Sequence, residues 1–239
     1  VAVRDVGPDR TKWSAAFTSD QQPADLVLVG HGSRDPGAGE VLRGLRDAVA
    51  KELHPLRVVL AWIELDSPLV TEVVPLAASD QDASRPVVVP LLLSRGTHVA
   101  RDLPEGARPP LGPDSRLTQI LLDRIREAGI APGRPLVLAA TGSTDPDGTA
   151  DVKRQAELLE TAWGAPVRMG FVTGLPSVAD AVNQCEEPPA IVSYFLAPGR
   201  LPDTAGCETA HLGTHPGLVH LVVARYSGAA PDGVTQMGL

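Results

Sequence analysis

Three side chains able to bind a metal ion stand at nearly even intervals in the first half of the chain. They are His31, Glu64 and His98, 33 and 34 positions apart. His31 follows the apolar run Leu26–Gly30, Glu64 lies at the end of Arg57–Leu65, and His98 lies beyond Pro86–Leu93. That interval is close to the length of one strand–helix–strand unit. In an open parallel sheet all carboxyl ends point one way, and ligands bind in the crevice outside them. With the first strand between the second and third, right-handed crossovers bring all three side chains into one cleft. The pattern alone does not set that strand order. Two imidazoles and a carboxylate suit cobalt, iron, nickel or zinc, and leave coordination positions open for a transfer reaction. A neutral imidazole can also accept protons near neutral pH. Taken singly these residues are unremarked: a histidine after a strand is more often structural, and a glutamate there is usually solvated.

An internal repeat separates the two meanings. Leu26-Val27-Leu28-Val29-Gly30-His31-Gly32-Ser33-Arg34-Asp35-Pro36 recurs, 110 positions on, as Leu136-Val137-Leu138-Ala139-Ala140-Thr141-Gly142-Ser143-Thr144-Asp145-Pro146. Pro86–Leu93 recurs as Pro189–Leu196, Gly96 as Gly199, and the run from Leu111-Gly112 to Arg124 as Leu212-Gly213 to Arg225. At the positions of His31, Glu64 and His98 the second copy has Thr141, Thr173 and Leu201. The glycines, prolines and apolar residues persist while all three ligands change together. A purely structural role would keep the histidines in both copies, so one site has been kept by the first copy. The remaining histidines carry less. His54 precedes Pro55 at a helix end, His215 precedes Pro216 at a helix start, and His220 falls inside a helix. His211 and His215 stand where the first copy has Pro110 and Asp114.

Each copy reads as alternating strands and helices, which implies a parallel sheet covered on both faces. In the first copy the strands are Leu26–Gly30, Arg57–Leu65 and Pro86–Leu93, with a short fourth strand near Arg108–Leu111. Apolar periodicity places helices over Gly39–Leu53, Leu69–Ala78 and Arg116–Ala128, the last closing the half. The expected organisation is a first lobe over 25–131 carrying the metal site and a degenerate second lobe over 132–227. Residues 1–24 and 228–239 lie outside the repeat and are expected to be a mobile extension and tail.

Composition narrows the function classes. The 239 residues carry a net charge of −8 with no basic stripe, which argues against nucleic-acid binding. No apolar run approaches the roughly 20 residues of a membrane span, and the start of the chain lacks a signal-peptide core, so a cytoplasmic location is expected. Cys185 and Cys207 are 22 positions apart, a spacing of neither a redox pair nor a cysteine-rich metal site.

The segments Leu28-Val29-Gly30-His31-Gly32-Ser33-Arg34-Asp35-Pro36, Trp62-Ile63-Glu64-Leu65 and Pro90-Leu91-Leu92-Leu93-Ser94-Arg95-Gly96-Thr97-His98 resemble the sirohydrochlorin chelatases. These are the class II chelatases of sirohaem and cobalamin biosynthesis, here in the long, two-lobe bacterial form. The resemblance covers residues 25 to about 227 and leaves the N-terminal extension with Trp13 without an account. It implies an α/β fold of two similar lobes, each a small parallel sheet flanked by helices, facing a central cleft. It also implies that His31, Glu64 and His98 hold the metal and carry the catalysis. The tetrapyrrole substrate is a polycarboxylate. Ser33, Arg34, Ser94, Arg95, Thr97 and Arg101 are therefore expected to bind it, the first two ahead of a helix N-terminus that favours anions. No organic cofactor and no nucleotide are implied: the divalent ion, Co2+ or Fe2+ with Ni2+ as a further option, is a substrate. A monomer is expected, because the second lobe supplies what a half-length chain obtains by pairing. Two other readings stay open from the residues alone, a non-catalytic tetrapyrrole- or metal-delivery protein and a non-haem iron oxygenase.

Overall fold

The computed structural model describes residues 25–74, 85–96, 101–213 and 215–230. The expectations for residues 1–24, for most of the 228–239 tail, and for Thr97 and His98 fall outside the described residues.

Each copy of the repeat forms a three-stranded parallel sheet. In the first lobe β1 (Leu26–Gly30) lies between β2 (Val58–Trp62) and β3 (Val87–Pro90), giving the order β2-β1-β3. In the second, β4 (Leu136–Ala140) lies between β5 (Val167–Phe171) and β6 (Ala190–Ser193). The central strands are buried along their whole length, as parallel strands covered on both faces must be. The register pairs Gly30 with Trp62 and Ala140 with Phe171, so the two sheets end in the same way.

The helices follow from local signals. Helix α1 (Pro36–Glu52) begins three residues before the apolar periodicity suggests. Asp35 caps it by accepting from the Gly37 N–H, and Pro36 opens it with φ already set. Short α2 (Val70–Val73) follows β2 and stops at Val74, an extended cap, short of the expected helix to Ala78; residues 75–78 lie outside the described residues. Helix α3 (Ser115–Glu127) is capped by Asp114. In the second lobe α4 (Pro146–Trp163) repeats the Asp–Pro start with Asp145, and α5 (Val178–Asn183), α6 (Arg200–Ala205) and α7 (Pro216–Tyr226) follow.

Two expectations need correction. The fourth strand does not form: Arg108 N–H donates to the Val88 carbonyl and Leu111 N–H to that of Leu92, without a ladder between them. Pro109 and Pro110 stand in that stretch, and neither has an N–H to donate. Nor does α3 close its own half. It packs on α4 and β6 of the second lobe, while α7 packs on α1 and β3 of the first. The lobes have exchanged their last helices, and one continuous hydrophobic core runs through both, from Leu28 and Leu45 through Leu121 and Leu138 to Leu221.

A buried polar knot fastens the exchange. Arg225 of α7 and Asp114 are both fully buried, 2.8 Å apart. Arg225 also donates to the carbonyls of Pro110 (2.9 Å) and Leu111 (2.8 Å). Gln155 of α4 completes the knot from the other lobe: it accepts from the Asp114 N–H at 2.9 Å and donates to Thr118 Oγ1 at 2.9 Å. Buried charges are tolerated when paired and hydrogen-bonded in this way.

Candidate metal site

His31 and Glu64 come together because the pairing of β1 and β2 continues past the strands. Ile63 N–H donates to the Gly30 carbonyl at 2.9 Å and Glu64 N–H to the His31 carbonyl at 3.0 Å. The two side chains therefore leave adjacent strand tips side by side, with His31 Nδ1 3.6 Å from Glu64 Oε1. Both are half-exposed, at 41% and 51%. Two ligands each about 2.1 Å from one ion at a tetrahedral angle lie about 3.4 Å apart, so the pair is spaced to share a metal. Among the described residues no three His, Cys, Asp or Glu side chains gather around one point, and the third expected ligand, His98, lies outside them.

Gly32 makes this juxtaposition possible. Its φ is +101°, and a Cβ there would overlap the Glu64 carbonyl oxygen, so a side chain is excluded on both counts. Gly142 repeats the arrangement at φ +104° against Thr173. There Thr173 N–H donates to the Thr141 carbonyl at 2.8 Å, the same bond that Glu64 makes to His31. Thr141 and Thr173 thus occupy the places of His31 and Glu64. The Thr173 hydroxyl is also turned onto the Thr141 carbonyl at 2.7 Å. The second copy has kept the loop and satisfied it locally.

The residues expected to bind substrate divide. Arg34 and Arg101 are exposed, and Ser94 is half-buried in the loop after β3. Ser33 Oγ accepts from Asp35 N–H at 3.1 Å, and Ser143 does the same for Asp145 at 3.0 Å, so this serine builds the turn in both lobes. Asp66, which the sequence reading passed over, accepts from the Ser33 N–H at 3.2 Å. Arg95 has a structural partner that the sequence does not suggest. Its guanidinium reaches across to Asp151 at 2.7 Å and Asp147 at 3.1 Å on α4, and its own N–H donates to Asp151 at 2.7 Å. Asp151 is buried, so its carboxylate demands this partner, and Arg95 is a strut between lobes. Tyr194 adds a second strut, donating to the Leu93 carbonyl at 2.9 Å; burial pushes its phenol well above the usual range. Nothing near Arg95 in sequence announces these partners.

The later histidines do not assemble. His215 caps α7, accepting from Gly217 N–H at 3.1 Å, with Nε2 3.4 Å from Asp123. His211 is held below the usual imidazole range by burial and then by Arg124. No helix among the described residues is long and apolar enough to cross a membrane.

The architecture is that of the two-lobe chelatases. The solved structure described as SirB from Bacillus subtilis with Fe3+ superposes with a TM-score of 0.71 at 23% identity, covering 86% of this chain and 95% of that one. The CbiX family model matches residues 25–128 and again residues 135–205, one match per lobe. The chain belongs to the CbiX family. It is 31% identical over 137 residues to a sirohydrochlorin cobaltochelatase of Methanopyrus kandleri, covering 43% of this chain and 95% of that protein. It is 27% identical over 229 residues to a sirohydrochlorin ferrochelatase of Bacillus subtilis, 86% of each. The resemblance carried by the His31 and His98 segments is borne out.

Proposed function

We propose that this protein is a sirohydrochlorin chelatase, inserting Co2+ or Fe2+ into the tetrapyrrole and releasing its two pyrrole N–H protons, in sirohaem or cobalamin biosynthesis. The observation that carries the reading is the His31–Glu64 pair, spaced 3.6 Å apart and half-exposed on the lobe that retains its ligands. Metal insertion demands that the ion be held weakly enough to leave. An open pair of protein ligands, with His98 as the third expected from the sequence, meets that demand better than a closed four-ligand cage. His31 donates a lone pair to the ion, and Glu64 reduces its charge. As the ring nitrogens take over coordination, their two protons pass to His31, His98 or Glu64 and on to water, so one divalent ion enters for two protons leaving. The exposed Arg34 and Arg101 pair with ring carboxylates, and the hydroxyls of Ser33, Ser94 and Thr97 offer further hydrogen bonds.

The test is anaerobic insertion followed by the absorbance of sirohydrochlorin, with Co2+, Fe2+ and Ni2+ supplied separately. His31→Ala and His98→Ala are each expected to slow cobalt insertion by more than about 100-fold, beyond the loss of an outer-shell partner. Stoichiometric binding without acceleration would favour a delivery protein instead, and an unchanged rate in the double variant would remove the assignment.

A further inference from the structure

Among the described residues the large apolar side chains left exposed are Leu65, at 54%, and Leu175, at 81%. They are not scattered. Leu65 immediately follows Glu64, and Leu175 stands two residues after Thr173, which occupies the place of Glu64 in the other lobe. Each lobe therefore presents one leucine from the loop that leaves its second strand, at the same end of both sheets.

Leu65 is also conformationally odd. Its φ of +67° makes it the non-glycine residue with a positive φ among those described. A residue without a Cβ, or an asparagine, occupies that region at less cost. The fold gains neither burial nor backbone ease from a leucine here. Strain of this kind gathers at ligand sites, where the surroundings over-determine it. The location agrees: a Cβ on Gly32 would lie 3.3 Å from that of Leu65, so Leu65 stands against the turn that presents His31 and beside Glu64.

We propose that Leu65 and Leu175 are positioning residues that grip the macrocycle, one from each lobe, and hold its nitrogens over the His31–Glu64 pair. This rests on the chelatase reading and extends it to how the ring is seated. A tetrapyrrole presents broad apolar faces and a rim of carboxylates. Arginines can hold the rim, but they leave the ring free to tilt. Insertion requires the ring face to stay aligned with the ion, and two aliphatic side chains supply shape without competing for the metal.

The experiment compares Leu65→Ala, Leu175→Ala and the double variant with the wild type. It reads sirohydrochlorin affinity without metal by fluorescence, Co2+ affinity without ring by calorimetry, and kcat and KM for insertion. Each single change is expected to weaken ring affinity about 10-fold, as loss of apolar contact in a binding site does, and to leave Co2+ affinity unchanged. Leu65→Met and Leu175→Met should restore most of the loss. Leu65→Gly should weaken ring affinity while holding or raising the unfolding midpoint, because it relieves the backbone, whereas a merely structural role predicts a lower midpoint. Wild-type ring affinity in the double variant overturns the inference, as does a change confined to self-association. If wild type inserts metal and the variants match it, the seat fails alone. If wild type inserts none and the alanine variants still lose the ring, the seat stands and the chelatase reading falls. A wild type that binds no ring overturns both.

Discussion

Glu64 tests how much of the site is charge and how much is shape. Glu64→Gln keeps the side chain's size and removes the negative charge that would face the ion. Because Glu64 is half-exposed, folding should be indifferent. Co2+ affinity measured by calorimetry is expected to fall about 10- to 100-fold, with the unfolding midpoint unchanged. Cys207 offers a second check at this scale. Burial pushes its thiol up to about 11. A raised pKa keeps the thiol protonated at neutral pH, so iodoacetamide should label Cys207 slowly at pH 8, with the rate still climbing as pH approaches 11. A rate already saturated at pH 8 contradicts the burial argument. His31 and Glu64 were legible in the sequence because each follows a strand whose repeat copy lacks it. Leu65 was not, since neither its positive φ nor its exposure has a residue-type signature.

Elements were legible where short-range chemistry decides them and illegible where the partner is distant. The Asp–Pro starts of α1 and α4 are written in adjacent residues. The exchange of α3 and α7 is not, because both helices carry the same apolar periodicity whichever sheet they cover. The Arg95 strut is illegible for the same reason: Asp147 and Asp151 lie 52 and 56 positions further on, in the other lobe. That strut makes its own prediction. Arg95→Met leaves the buried Asp151 carboxylate without its cation, and should cost about 2 kcal/mol in urea unfolding, discounted for the partial exposure of Arg95. Asp151→Asn in the same background removes the stranded charge and should recover part of the loss. If the two changes add instead, the residues do not act as a pair.

At the scale of the molecule, helix exchange means that neither lobe owns a complete core. The first lobe needs α7, which lies nearly a hundred residues beyond α3 in the chain. A chain of residues 25–131 alone would expose the surface of α1 and β3 that α7 covers, and would leave α3 without α4 and β6. The repeat supplies a remedy. Arg124 of α3 corresponds to Arg225 of α7, so a second copy can place its α3 where α7 lies in the whole chain. Arg124 of that copy would then meet the Pro110 and Leu111 carbonyls and Asp114, the partners of Arg225. The half chain is therefore expected to fold only as a dimer, with twice its mass by light scattering and an unfolding midpoint that rises with concentration. The whole chain, with its own α7 in place, should remain a monomer and unfold in one transition at any concentration. A half chain that is folded and monomeric would mean that α7 is an accessory to the first lobe. Arg225→Ala in the whole chain decides the same question from the other side. It should cost about 2–3 kcal/mol, because the buried Pro110 and Leu111 carbonyls lose their donor while Asp114 keeps Arg116 at 2.7 Å, and it should loosen both lobes together rather than the second alone.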